Sequence, residues 1–163
     1  MKHKNDSHMR RRDHRGFSLV ELMVVVGIMG LILGLSAPGV RRYLHSWRLN
    51  GDVSAMAMMM RAARSTAITK NIDVVFVFDQ SEGRYFYLED TDGDGVADGD
   101  ELQSGTHTLS DGIVIESFTT PTQWITFTPR GSTADGGTIT VENTNKAART
   151  IRVYSGTGNV TMQ

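Results

Sequence analysis

From Leu22 to Val40 the chain runs nineteen residues without a charge. A helix needs ~20 apolar residues to cross a hydrocarbon layer of ~30 Å. Such a run has to be covered by lipid or by other apolar helices, so it cannot share an ordinary water-facing fold with its neighbours. Immediately before it stands one carboxylate, Glu21. A charge of that kind costs ~2.5–3.5 kcal/mol at the centre of a membrane helix and less near the interface, and usually has a partner. Six Lys/Arg precede the run within residues 1–16, against Asp6 and Asp13. By the positive-inside rule they keep the N-terminus in the cytoplasm and the C-terminal part outside, a contrast that Arg41, Arg42 and Arg48 weaken without reversing.

Charge divides the rest of the chain. Residues 17–70 carry six Lys/Arg against Glu21 and Asp52, whereas residues 71–163 carry five Lys/Arg against fourteen Asp/Glu, a net of -9. An acidic body opposes phosphate-driven nucleic-acid binding over its whole surface, though not at a local patch. There is no cysteine, so disulfides and thiolate metal sites are excluded. No GxSxG, HExxH, P-loop or GxGxxG motif occurs, the five histidines are scattered, and no nucleophile–base pair stands out. The chain is not expected to be an enzyme.

Three readings compete for the apolar run. A secretory signal peptide has a shorter apolar region and a small-residue cleavage site, for which "LSAPG" is a weak match. A plain signal anchor fits the length and leaves Glu21 unexplained. The third rests on "RGFSLVELMVVVGIMGLILGLSAPGV", which resembles the N-terminus of type IV prepilins and of the pseudopilins of type II secretion. That pattern is a basic leader, Gly, an aromatic residue and Glu five residues into the mature chain. Gly16, Phe17 and Glu21 supply it in register, and Pro38 falls where the family commonly has a proline. The resemblance implies that a prepilin peptidase cuts between Gly16 and Phe17 and methylates the new amine of Phe17. It also implies an assembly role in which Glu21 meets the Phe17 amine of a neighbouring subunit, a pair costly to leave half-made in an apolar core. The competing account is that Glu21 snorkels near the interface. Gly30 and Gly34 allow close helix approach or merely lower helix propensity. Pro38 removes one helical hydrogen bond and is expected to kink the rod.

Beyond the run, Val40, Tyr43, Leu44, Trp47, Ala55, Met59, Ala62 and Ala63 recur at helical spacing. One helix from about Phe17 to Thr69 is expected, with this stripe as its buried face and Arg41, Arg48, Arg61 and Arg64 largely off it. The Met run at 56 and 58–60 reads as gap-filling core rather than a soft-metal surface. After Asn71 come short β-rich runs, "DVVFVFD", "RYFYLE", "GIVIES", "WITFTP", "GTITVEN", "RTIRVYS" and "NVTM", separated by Gly, Asp and Asn turns. Helix first and strands after indicates α+β, with an antiparallel sheet packed on the helix. The expected organisation is a leader over 1–16, a membrane and assembly helix over 17–40, an amphipathic helix over 41–70 and a periplasmic β-rich body over 71–163.

Between two of the strand runs, "DTDGDGVADGDE" meets the EF-hand loop template. Asp90, Asp92 and Asp94 take positions 1, 3 and 5, Gly95 the bend, Val96 a backbone carbonyl, Asp98 position 9 and Glu101 position 12. Hard oxygens at this spacing wrap a Ca²⁺. The flanks read as strands, so this is a lone loop, and the alternative is a solvated acidic hairpin tip.

The tail "WITFTPRGSTADGGTITVENTNKAARTIRVYSGTGNVTMQ" resembles the C-terminal half of GspH/FimT-type minor pseudopilins, with Pro129, Arg130 and Gly131 as turn residues. The resemblance implies a structural subunit stored in the inner membrane and incorporated near the tip of a type II secretion pseudopilus or a type IV pilus-like filament. Its partners would be prepilin peptidase, other pseudopilins or pilins and an inner-membrane assembly platform. The rival is a DNA-binding minor pilin acting in DNA uptake, with Lys146, Arg149 and Arg152 as phosphate contacts.

Overall fold

The computed structural model describes residues 17–93, 102–120, 122–134 and 136–163, without the side chains of 36–42 and of Leu102. A single helix, α1 (Leu19–Lys70), is followed by nine strands. They are β1 (Asp73–Asp79), β2 (Arg84–Asp90), β3 (Leu102–Gln103), β4 (His107–Thr108), β5 (Ile113–Phe118), β6 (Trp124–Phe127), β7 (Gly137–Asn143), β8 (Ala148–Val153) and β9 (Val160–Met162).

Both ends of α1 have local causes. Ser18 stands where an N-cap belongs and Glu21 three residues on, the S-x-x-E arrangement of a capping box, and the Leu22 amide donates to the Ser18 carbonyl at 3.1 Å. At the other end Asn71 adopts φ 57 and the Ile72 amide returns to the Ala67 carbonyl at 3.3 Å. That is the left-handed stop and long return bond of a Schellman ending. Lys70, basic in the last turn, donates to both Glu89 carboxylate oxygens at 2.6 Å and ties the helix end to β2.

The chain forms two compact units, Met1–Gly39 and Val40–Gln163. In the first, every described helical side chain from Leu19 to Leu35 is exposed. Among the described residues no helix is long and apolar enough to cross a membrane, the fully described apolar stretch ending at Leu35.

In the second unit the buried stripe of α1 is Leu49, Val53, Met56, Ala57, Met60, Ala63 and Ala67. This corrects the sequence reading, which placed Tyr43, Leu44 and Trp47 on the buried face; all three are exposed, as is Ala62. The reason is angular. Trp47 and Met56 are nine residues apart, about two and a half turns, and therefore lie on opposite sides of a 3.6-residue helix. The expected stripe merged two faces. Met56 and Met60 do fill the core, and Met59 packs at its margin.

The strands form two antiparallel sheets rather than one. The first has order β3-β2-β1-β6 with β4 also paired to β2, and the second has order β5-β7-β8-β9. Alternation along each strand sends one set of side chains towards the helix. These include Val74, Phe76 and Phe78 of β1, Tyr85 of β2, Ile125 and Phe127 of β6, and Ile113, Ile115, Ile139, Val141, Ile151, Val153 and Val160 of the second sheet. Phe76 lies 5.1 Å from Phe78 and 6.0 Å from Tyr85 between ring centroids. The edge strand β5 is blunted by a register shift between Ile115 and Ser117, and Gln80 donates to the Ile115 and Glu116 carbonyls beside it. The β1–β2 turn closes on Asp79, which accepts from Ser81, the Glu82 amide and Arg84. Those bonds, the Ser81 hydroxyl foremost, hold its carboxyl below the usual range.

Asp52, on the flank of the buried stripe, accepts from the Ser110 amide at 2.8 Å and its hydroxyl at 3.1 Å, pinning the segment before β5 to the helix. Burial of Tyr85, and then the charge of Asp52, push its phenol from 10.0 up to about 12. The folded chain therefore holds the phenol proton more tightly than the unfolded chain. The associated stability is fully present below pH 10 and is lost as pH rises towards 12, on the order of 2 kcal/mol. Urea unfolding across this range should show that decline, and Tyr85→Phe should remove it.

Candidate functional site

The described helical side chains of the first unit, Leu19 to Leu35, are all exposed. Phe17 is 80% exposed, and apart from the neighbouring residues and the helix's own backbone no described atom lies within 4 Å of where a Cβ would stand on Gly27, Gly30 or Gly34. Close approach at Gly30 and Gly34 is thus a property the isolated chain leaves unused. Glu21 is exposed in the first turn of α1, where a carboxylate also interacts favourably with the helix dipole. That first-turn position, three residues after Ser18, supplies a local reason for the residue that charge pairing alone does not. Gly16 lies outside the described residues. Pro38 lies within α1, its side chain outside the description.

Of the calcium-loop residues, Asp90 and Asp92 are described, while Asp94, Val96, Asp98 and Glu101 lie outside the described residues. Asp90 is buried at the end of β2, and its carboxylate accepts from the Gly93 amide at 2.6 Å. Directly across the ladder stands Asp73, whose carboxyl is pushed up by burial and then by the charge of Asp90. Among the described residues no group of three or more metal-ligating side chains comes together.

The three basic residues of the C-terminal sheet are not brought together. Lys146 stands in the β7–β8 turn with φ 63 and donates to Glu142 at 2.7 Å, which pushes its pKa up. Arg149 and Arg152 are three apart on β8, so alternation sends them to opposite faces. Arg149 shares the face of Ile151 and Val153, and there it donates to Asn50 at 3.1 Å and to the Ala148 carbonyl at 3.0 Å. It borders a shallow groove of about 240 Å³ lined also by Val53, Ser54 and Met162. Arg152 projects from the other face, opposite Thr138 and Thr161.

Two arginines that the sequence reading set aside hold the C-terminal turns. Arg64 donates to the Gly131 carbonyl at 2.7 Å and to the Thr157 carbonyl at 3.1 Å, and Arg61 donates to the Val160 carbonyl at 3.0 Å. The turn at Pro129–Gly131, closed by the Gly131 amide on Thr128, is therefore seated against the helix. Gly158, at φ 61, sits so close that a Cβ would overlap the Gly131 carbonyl oxygen. The available signal was the pairing of Arg61 and Arg64 one turn apart with two glycine turns far along the chain, which spacing alone cannot connect.

With that arrangement in view, the family described as Type II transport protein GspH matches residues 52–157, from within the buried helix stripe through β8 and the Gly131 and Thr157 turns. The chain belongs to the GspH family. The Prokaryotic N-terminal methylation motif matches residues 11–37. The chain is 35% identical over 96 residues to the pilin-like protein PilA1 of Thermus thermophilus, an alignment covering 57% of this chain and 59% of that protein's length. Among solved structures, the minor pseudopilin EpsH of the Vibrio cholerae type 2 secretion system superposes with a TM-score of 0.56 at 14% identity, covering 71% of this chain and 96% of EpsH. The type IV minor pilin FimU of Pseudomonas aeruginosa gives 0.55 at 14% identity, covering 74% and 92%. These two likenesses establish the pilin-like fold. By family model and by fold the chain is a GspH-family protein with a pilin-like fold.

Replacing Arg64 by Met should lower stability by about 1–3 kcal/mol, because two carbonyls lose a charged donor. Arg130→Met, at an exposed turn position, should change it by less than ~0.5 kcal/mol. Parallel urea titrations of the two variants check the contrast.

Proposed function

We propose that this chain is a tip-proximal minor subunit of a type II secretion pseudopilus or type IV pilus-like filament. In this reading it is made as a prepilin, inserted in the inner membrane through the uncharged run Leu22–Val40, and cut between Gly16 and Phe17 by prepilin peptidase. Its β-rich body then stands in the periplasm until an inner-membrane platform adds it to the filament beside other pilins. The observation that carries the reading is the methylation motif over residues 11–37, in which the described helical side chains from Leu19 to Leu35 are all exposed. A surface of that kind is stable only when lipid or neighbouring helices cover it. The DNA-uptake alternative draws no support from the C-terminal sheet, where Lys146 is ion-paired and Arg149 and Arg152 leave opposite faces.

Glu21 is proposed to pair with the Phe17 amine of a neighbouring subunit, in addition to starting its own helix. Its two duties separate by substitution. Glu21→Ala removes both, whereas Glu21→Gln keeps a side chain able to close a capping box and removes the charge. Both variants should insert and be cleaved normally, and both should be lost from sheared filaments. Normal assembly of the Glu21→Gln protein would assign the residue to the helix start alone.

A calcium ion on the loop Asp90–Glu101 is proposed as a structural element. Like charges directly opposite in a ladder destabilise it, and Asp73 faces Asp90 at the base of this loop. A divalent cation held by Asp90, Asp92, Asp94, Asp98, Glu101 and the Val96 carbonyl would offset that repulsion. The melting temperature should fall on chelation and recover in millimolar calcium; equal values in both conditions would overturn the site.

A further inference from the structure

The exposed aromatic stripe at the start of the second unit is used neither by the core nor by the proposed filament contact of Glu21. Tyr43 is 71% exposed, Trp47 66% and Leu44 45%, with Arg48 exposed beside them. Tyr43 and Trp47 are four residues apart, so they stand on one side of α1, one turn above the other. That side is opposite Met56 and the rest of the buried stripe, so no rearrangement within the helix could bury both. A soluble domain that leaves a tyrosine, a leucine and a tryptophan together in water has an unexplained apolar patch.

We infer that this stripe is an interfacial anchor, seated in the outer headgroup layer of the bilayer while the subunit waits in the membrane. The inference rests on the proposal that Leu22–Val40 spans the membrane. Its partner is a lipid surface of zwitterionic and anionic phospholipids, and three features favour that occupant. Tyrosine and tryptophan are the side chains enriched where hydrocarbon meets headgroups, because each has an apolar ring and a polar tip. The stripe begins three residues after Val40, where the uncharged run stops. Its charge is complementary to phosphate, with Arg48 beside Trp47 and Arg41 and Arg42 just before it in sequence.

Distances agree with this placement. At 1.5 Å per residue, Tyr43 stands about 4.5 Å and Trp47 about 10 Å beyond Val40 along the axis. Helical side chains lean towards the N-terminus and cover the preceding turn, so the indole reaches back by about 5 Å. The polar layer on each side of the hydrocarbon is about 5–7 Å deep. The same lean brings the Tyr43 ring to the inner edge of that layer, and the Trp47 indole falls inside it. Such an anchor fixes the depth at which Tyr43 and Trp47 ride in the headgroup layer.

The test uses the full-length chain carrying Trp124→Phe, which leaves Trp47 as the only indole, in vesicles of phosphatidylethanolamine and phosphatidylglycerol. Flotation reports membrane association, and Trp47 emission reports depth. The chain should float with the vesicles. Trp47 emission should be blue-shifted and quenched severalfold more strongly by lipids brominated just below the headgroup than by lipids brominated near the chain ends. Arg48→Glu should reduce both the shift and the headgroup-level quenching. A chain that floats but shows water-like Trp47 emission and no quenching by either lipid overturns the anchor and leaves the membrane span standing. Shielding of Trp47 from aqueous iodide without any lipid quenching overturns it in favour of a neighbouring subunit on the stripe. Failure to float overturns the span and the anchor together.

Discussion

Everything in the body depends on burying one side of the inner half of α1. Leu49, Val53, Met56, Met60, Ala63 and Ala67 recur at steps of three and four, and all are almost fully inaccessible. Neither sheet has an apolar face that could be left in water. The helix supplies the surface on which the inward residues of both converge, Phe76, Phe78 and Phe127 from one and Ile139, Val141 and Ile151 from the other. Small residues within the stripe, Ala57, Ala63 and Ala67, let the strands come close, and the flexible Met side chains occupy the remaining irregular space. Polar ties at the margins then fix which part of each sheet meets which turn of the helix. Asp52 holds Ser110, Arg61 holds Val160, Arg64 holds Gly131 and Thr157, and Lys70 holds Glu89.

The same helix carries two kinds of surface, one exposed and apolar over Leu19–Leu35 and one amphipathic with a buried stripe. The inner half is amphipathic and has a folded partner in its own chain. The outer half is apolar on all sides and has no such partner among the described residues, which suits a segment passed from lipid to a filament of like helices. Glu21 fits this division. A carboxylate at the third helical position helps start the helix in any environment, and it remains the only charge available for a specific contact along the described apolar stretch.

Much of the architecture was legible before the fold. The strands "DVVFVFD" and "GTITVEN" coincide with β1 and β7, because alternation bounded by Gly and Asp turns is a local signal. The leader motif and the α+β order were local signals too. What was misread, the buried stripe of α1, involved a choice between two faces that are both partly apolar. Tyr43, Leu44 and Trp47 obey helical spacing as well as Leu49 and Val53 do, and hydropathy cannot say which set meets a sheet that lies elsewhere in the chain. The pair β3 and β4, each two residues long, was invisible because a strand that short has no period. Of the candidate site residues, the motif at Gly16, Phe17 and Glu21 was readable as a pattern, whereas Lys146, Arg149 and Arg152 are close in sequence but lie in a turn and on two faces of β8.

By itself the sequence determined the order of one helix followed by strands, the uncharged run with its flanking carboxylate, and the family signature at both ends. Each is a property of neighbouring residues or fixed spacings, and such properties survive without a fold. Tertiary structure alone decided which helix face is covered, that the strands divide into two sheets, and that Arg61 and Arg64 bind carbonyls more than sixty residues away. It also decided that Arg149 and Arg152 part company. Those outcomes depend on contacts between distant segments, whose geometry is set by the packing of whole elements and not by the order of residues within any one of them.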